Sequence, residues 1–450
     1  MLIIHGLVAT FGSHPQVIDD GAIYIDGDRI GAIGTSRDLI AKYPTADRLD
    51  ARGQLVLPGS ICAHTHFYGA FARGMSIPGP AARNFIEILQ KLWWRLDRAL
   101  DEDGVRYSTL VCLIDAIRHG TTTLIDHHAS PNFIDGSLDV IVEEVIRSGM
   151  RVCECYEVTD RNGSEGAKAG IAENIRFARR LKTDPSPLLA ASFGLHASFT
   201  VGDETLEHCV GEARAWELGF HIHVAEDAAD ELDSELKYGL RIGHRLESRG
   251  VLGERTLSAH CVHVNDAEIA TLSKTRTKVS HQPRSNMNNA VGTARVPPML
   301  DAGVCVGLGN DGFSNNMFAE MKAAYLVHKA TAGDPRVMTG DTVTRLAYEN
   351  NAQIAALFWP HPTGQLTPGA YADVILLDYR PYTPLTAGNL PWHIAFGIDG
   401  SHVTATIVGG KVLMRDRQLL TLDEEAITAK ARAIAPRIWQ RFEEIATHEG

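Results

Sequence analysis

The chain has 450 residues, 44% of them hydrophobic and 22% charged, ordinary values for a globular protein. At ~150 residues per domain it is long enough for three domains or for one large barrel with an appendage. The composition excludes a disordered tail, a collagen-like repeat and a small disulfide-stapled scaffold. Forty-three basic residues stand against 55 acidic ones, a net charge of −12. That balance argues against nucleic acid or an anionic membrane as partner, because both call for a basic face.

No run approaches the ~20 apolar residues that span a bilayer. Met1–Gly6 reads as a β-strand and lacks the charged start and small-residue cleavage site of a secretory leader. The seven cysteines (Cys62, Cys112, Cys153, Cys155, Cys209, Cys261 and Cys305) form no Cys-x-x-Cys pair. They are expected as free thiols in a cytoplasmic protein.

Residues 1–57 read as strands: Leu2–Phe11, Gly21–Asp26, Arg29–Ile33 and Gln54–Leu57, with a hairpin turn at Asp26-Gly27-Asp28. Pro58-Gly59 ends that portion. From 58 to 362 the rhythm changes. Strand candidates at 60–66, 121–126, 151–158, 188–196, 219–225, 255–262, 277–281 and 303–309 alternate with helical stretches such as Phe85–Ala99 and Val105–Arg118. Eight such units predict an α/β chain folded as a closed parallel (β/α)8 TIM barrel, with the Gly/Pro-rich segment 72–84 as an insertion. Over 363–450 the strands return at Val374–Leu377, Val403–Val408 and Lys411–Met414. Each end alone is too small to bury much core, so the two ends are expected to pair into one small β-sandwich. The tail from Asp423 to Thr447 has helical apolar spacing, with Asp423 as N-cap and a break or kink at Pro436.

The chemistry-bearing residues fall at strand ends. His64-Thr65-His66 closes the first barrel strand, and residues i and i+2 of a strand face the same side. Both imidazoles can therefore point into the carboxyl-end mouth, where such barrels keep their active sites. His221-Ile222-His223-Val224-Ala225-Glu226 ends the fifth strand. His223 would be a third nitrogen ligand, and Glu226 a carboxylate placed to move protons beside a metal. His221 shares the parity of His223 one layer deeper and reads as a core or supporting histidine. His260, ending the sixth strand, could bond to attacking water or to an oxyanion, whereas His263 lies past the strand and reads as structural. Asp311, after the eighth strand, is costly to bury unpaired unless a cation offsets it. Three imidazoles (His64, His66, His223) and Asp311, with an open position for water, make a hydrolytic metal site.

These residues resemble the amidohydrolase superfamily over nearly the whole chain. Leu57-Pro58-Gly59 with His64-Thr65-His66, His223-Val224-Ala225-Glu226, Ala259-His260-Cys261-Val262 and Gly309-Asn310-Asp311-Gly312 look like its successive motifs. Ser280-His281-Gln282-Pro283-Arg284-Ser285-Asn286 is similar to the deaminase and chlorohydrolase branch. Gly120–Ser130 and Asn286–Val291 are most similar to the SsnA-type aminohydrolases of that branch. The resemblance implies His64, His66, His223 and Asp311 as metal ligands, Glu226 as proton shuttle, His260 as partner of the water and tetrahedral intermediate, and His196 as a substrate contact. Asn310 and Gln282 depart from the usual Thr and Asn, which bears on substrate details. Two-metal members bridge their ions through a strand-four lysine. Leu188–His196 has none, and Lys182 lies before Pro185 and Pro187, so one divalent metal is expected. Zinc comes first; iron and manganese suit the same donors.

The activity expected is deamination of an amino-substituted heterocycle of purine, pterin, pyrimidine or triazine type, with release of ammonia. Arg161 and Glu157 near the end of strand three, and Trp93 and Trp94 on the helix after the insertion, are pocket candidates, with Arg161 a substrate contact. Hydrolysis of a cyclic or acyl amide without ammonia release is the alternative, and an inactive scaffold the remote one. A small heterocycle is the expected partner, with neither nucleic acid nor membrane, and the resemblance is compatible with a homo-oligomer.

Overall fold

A computed structural model describes residues 1–449. The barrel strands are Ser60–Thr65, Thr121–Asp126, Arg151–Glu154, the pair Leu189–Ala191 and Phe193–Ala197, Phe220–Val224, Leu257–His260, Lys278–His281 and Val306–Leu308. All of them pair in parallel. The fourth is split at Ser192, so the backbone ladders form one group of four and one of five. Val158 bridges to Leu195 across that split, with Val158 N–H donating to Gly194 O and His196 N–H to Val158 O. At the opposite seam the Asn310 and Asp311 N–H groups donate to His64 O at 2.9 and 3.1 Å, and His66 N–H donates to Asp311 O at 3.1 Å. The ring therefore closes through the residues that carry the chemistry.

The amino-terminal floor of the barrel is apolar, with Ile61, Ala63, Ile125, Cys153 and Leu257 packed on Ile354 and Trp359. Two residues further along their strands, Ile125 gives way to His127 and Cys153 to Cys155, so the next layer up is polar. The helical stretch after the insertion runs from Phe85 to Ala99 with a π-helical turn at Leu89–Trp93. Such turns often mark functional positions, and this one delivers Trp93 and Trp94 to the barrel mouth.

Strands from both chain ends share a single nine-stranded sheet. Its junction is the antiparallel pairing of Leu55–Pro58 with Val374–Leu377. A flat sheet would hold the second and sixteenth strands of the chain, Val17–Asp26 and Val403–Val408, four strand spacings apart, about 19 Å at ~4.8 Å each. Instead the Gly409-Gly410 turn packs on Ile25 and Gly27, and Ile30 N–H donates to Ala370 O. The sheet curls over its own core of Ile3, Ile23, Ile25, Leu376 and Ile407. Buried Arg151, at the start of the third barrel strand, ties barrel to sheet through both oxygens of Asp373 at 3.2 Å.

The terminal helix, Glu424–Glu449, is capped by Asp423, whose Oδ1 accepts from Ala426 N–H. The expected break at Pro436 does not occur. The proline removes one N–H from the ladder, but Ile434, Ile438 and Phe442 are buried on either side of it and hold the helix in place. Among the described residues, no helix is long and apolar enough to cross a membrane.

The closing seam leaves no room for a side chain at 309, since a Cβ on Gly309 would lie 2.7 Å from both His64 N and His64 O. Gly309→Ala should cost about 1–3 kcal/mol by overpacking, read as a lower urea midpoint. An unchanged midpoint would contradict this closure.

Candidate metal centre

The barrel mouth gathers residues that are hundreds of positions apart. His66 Nε2 lies 2.9 Å from Asp311 Oδ1 and 3.1 Å from His223 Nε2, and His64 Nε2 lies 3.3 Å from Asp311 Oδ1. His260 Nε2 is 3.4 Å from Glu226 Oε2. The histidines and Glu226 are buried, and the Asp311 side chain keeps 15% of its exposure.

The outer nitrogen of each inward-facing imidazole has a hydrogen-bond partner. His64 Nδ1 meets His221 Nε2 at 2.8 Å, His66 Nδ1 meets His127 O at 2.6 Å, His223 Nδ1 meets His196 O at 2.8 Å, and His260 Nδ1 meets Asn286 Oδ1 at 2.9 Å. A neutral imidazole carries one proton, so donation from Nδ1 leaves a lone pair on Nε2. With all four imidazoles neutral, as metal ligation requires, four lone pairs face the mouth. Ala225, His260, Cys261 and Asp311 all have positive φ, from 48° to 71°, a conformation costing a non-glycine residue ~1–2 kcal/mol. Such strain clusters at sites whose geometry the surroundings impose. Here it turns the strand ends so that their side chains converge.

Electrostatics separate the carboxyl groups. Burial works against ionising Asp311, yet the adjoining His64 and His66 imidazoles hold it well below the usual carboxylate range. Burial, and then the charge of Asp311, push Glu226 well above that range, and Asn289 Nδ2 donates to its Oε1 at 3.3 Å. Burial likewise lifts Glu157 to about 8. Burial lowers His64 to about 3, whereas His66 rises against its own burial to about 10 through Asp311 and Glu157. The centre calls for positive charge beside Asp311.

A divalent cation fits that call. His64 Nε2 and His260 Nε2 are buried without a hydrogen-bond partner, and His66 and His223 oppose Nε2 to Nε2. Three imidazoles with a carboxylate are the donor set of a catalytic site that keeps a position open. His64, His223, His260 and Asp311 offer donor atoms all within 4.8 Å of one another, as do His64, His66, His127 and His223.

A cavity opens above these residues, walled by Tyr68, Phe85, Trp93, Trp94 and Phe199. Glu157, Arg161 and His196 also line it. His196 Nε2 lies 3.9 Å from Glu157 Oε2, while its Nδ1 bonds to Thr200 Oγ1 at 2.6 Å. Arg161 donates through Nη2 to buried Asp97 and lies over the Trp94 ring at 5.2 Å, leaving its Nε without a partner. His263 donates to or accepts from nothing in the mouth; its Nε2 bonds to Val291 O. Sequence reasoning did not single out Asn286, Asn289, Asp97, His127 or Ser285, whose hydroxyl donates to Asp311 Oδ2. Asn286, Asn289, Ser285 and His127 all lie in stretches that carry the family resemblance, without an assigned task.

Residues 55–413 match the amidohydrolase family. The chain belongs to that family. This amidohydrolase is 32% identical over 446 residues to a 5-methylthioadenosine/S-adenosylhomocysteine deaminase of Pelotomaculum thermopropionicum, covering 98% of the chain and 99% of the relative. It is 31% identical to a 5'-deoxyadenosine deaminase of Methanosarcina mazei, again covering 98% and 99%. Among solved structures, an adenosine deaminase from Xanthomonas campestris with bound zinc superposes with a TM-score of 0.86 at 24% identity, over 97% of this chain and 98% of that one. The zinc complex of atrazine chlorohydrolase from Arthrobacter aurescens gives 0.81 at 22% identity, over 97% and 100%. Those two likenesses establish the shared fold.

Asp97→Ala would leave the Arg161 guanidinium, largely buried in the cavity wall, without its carboxylate. A loss of about 3–5 kcal/mol is expected, measured by urea unfolding. A loss below 1 kcal/mol would show that the pair does not hold the wall.

Proposed function

We propose that this amidohydrolase is a single-metal aminohydrolase that replaces an exocyclic amino group of an aromatic nitrogen heterocycle with oxygen and releases ammonia. The observation that carries the reading is Glu226, a buried carboxyl whose surroundings favour its protonated form, set between the histidine cluster and an aromatic-walled cavity. Deamination needs such a proton donor at a ring nitrogen. His64, His66, His223 and Asp311 hold the cation. Zinc is the expected ion, in keeping with the zinc-bound structural neighbours, and the same donors accommodate iron or manganese. A bound divalent cation supplies acidified water, with a pKa lowered from ~16 toward ~7.

The chain's own residues carry the rest. Asp311, held ionised, takes a proton from the attacking water, and the His260 Nε2 lone pair orients that water by accepting from it. Glu226 gives its proton to the ring nitrogen as the new C–O bond forms. The proton taken by Asp311 then goes to the amino group, the C–N bond breaks and ammonia leaves, while the remaining hydroxyl proton returns to Glu226 as the carbonyl forms. Trp93, Trp94 and Phe199 suit the faces of a flat ring. His196 Nε2 and Arg161 Nε provide polar contacts at its edge. The relatives named for 5-methylthioadenosine, S-adenosylhomocysteine and 5'-deoxyadenosine favour a purine-type ring among the heterocycles that fit.

Metal-replete protein should release ammonia from at least one member of a panel of 5-methylthioadenosine, guanine, pterin, cytosine and an aminotriazine. Silence across the panel would count against deamination. Glu226→Gln should keep its metal and lose about 10²–10⁴-fold in turnover, and near-normal turnover would remove Glu226 from the role. His223→Ala should lose the tightly bound metal in mass spectrometry, and full retention would strike His223 from the ligand set.

A further inference from the structure

Beneath the metal centre lies a layer the mechanism does not use. His127, Cys155 and His221 are fully buried inside the barrel, directly above its apolar floor. Their donor atoms lie within 4.8 Å of one another, close enough to hold a second cation. Barrel interiors at this depth are usually filled by branched apolar side chains, so three polar groups here call for an account.

Proton counting decides between the two roles open to them. For His64 to offer its Nε2 lone pair beside Asp311, its single proton must sit on Nδ1, which faces His221 Nε2 at 2.8 Å. His221 Nε2 then accepts, so the proton of His221 sits on Nδ1, directed at Cys155 Sγ 3.9 Å away. The thiol in turn points at Asp126 O at 3.7 Å. Every link has one donor and one acceptor, and the series ends on a carbonyl. A cation on His221 Nδ1 would need that nitrogen's lone pair. The His221 proton would move to Nε2, the 2.8 Å bond would reverse, and His64 would carry its proton on the nitrogen that faces Asp311. The two sites exclude each other.

We infer that His221 is a positioning residue that locks His64 in its metal-binding tautomer, with Cys155 fixing the His221 proton in turn and His127 stacked on the His221 ring. The stacking is tight, with ring centres 4.3 Å apart and planes 19° from parallel. A ligating histidine ordinarily gives its second N–H to a carboxylate, a carbonyl or water. His66 and His223 do so through carbonyls, and His64 alone among the metal-site histidines uses another imidazole. The inference rests on His64 being a metal ligand, as proposed above.

The test measures zinc affinity of the full chain by chelator competition, together with metal content by mass spectrometry. His221→Leu fills the space but removes the acceptor, and should weaken zinc binding 10–100-fold, the usual cost of losing such a partner. His221→Gln restores an acceptor oxygen and should recover affinity to within about threefold of the wild type. Thermal unfolding of the metal-free forms checks that each variant folds, and His127→Leu, which keeps the acceptor, gives the cost of disturbing the layer. Wild-type zinc affinity in His221→Leu would overturn the inference, as would His221→Gln being no better than Leu, or two zinc ions per wild-type chain. A wild-type chain that takes up no zinc would instead bring down the metal-site reading itself. Zinc uptake without ammonia release would leave this inference standing and count against the deaminase reading.

Discussion

The arrangement of the barrel mouth depends on where four imidazole protons sit. A histidine is a metal ligand or a proton acceptor only on the nitrogen without hydrogen, and burial leaves no bulk water to correct a wrong tautomer. In this chain each inward-facing histidine is settled by a different outer partner: another imidazole for His64, backbone carbonyls for His66 and His223, and a carboxamide for His260. The two carbonyls belong to His127 and His196, each at the end of a neighbouring barrel strand, so strand register and protonation pattern are the same fact seen at two scales. Asp311 adds negative charge to this concentration of lone pairs, and a divalent cation offsets both.

The fold serves that constraint at some local cost. The seam between the eighth and first strands closes through Asn310, Asp311, His64 and His66, with glycine at 309 because the backbones approach too closely for a side chain. Positive φ at Ala225, His260, Cys261 and Asp311 is unfavourable residue by residue. The apolar floor, the curled sheet behind it and the buried Arg151–Asp373 pair provide the stability against which that strain is held. Glu226 and Asp311 show how the same burial gives opposite results. Two adjoining imidazoles favour the ionised form of Asp311, while Glu226 has a single amide donor and the charge of Asp311 nearby, which favour its protonated form.

The barrel and the histidine cluster at its mouth were legible in the sequence because both are local signals. Strand–helix alternation repeats eight times, and His64, His66, His223, His260 and Asp311 each stand at the end of an apolar strand, where a polar residue needs a reason. The partners of those residues were not legible. Asn286 and Asn289 sit on the short helix Pro283–Asn288 and just after it, and nothing in that stretch says which of several asparagines will meet His260 and which Glu226. Arg161 was readable as a pocket residue, but its pairing with Asp97 crosses 64 positions and depends on how the insertion folds back. The split of the fourth strand at Ser192 and the unbroken helix through Pro436 were hidden for a related reason. Both follow from packing that outweighs local propensity.

Anomalous X-ray diffraction at the zinc edge, on crystals of zinc-loaded protein, tests the central claim most directly. A single strong peak bounded by His64, His66, His223 and Asp311, with nitrogen and oxygen ligands at ~2.0–2.2 Å, is the expected result. A peak seated instead among His127, Cys155 and His221, or loaded crystals with no peak in the barrel mouth, would contradict it.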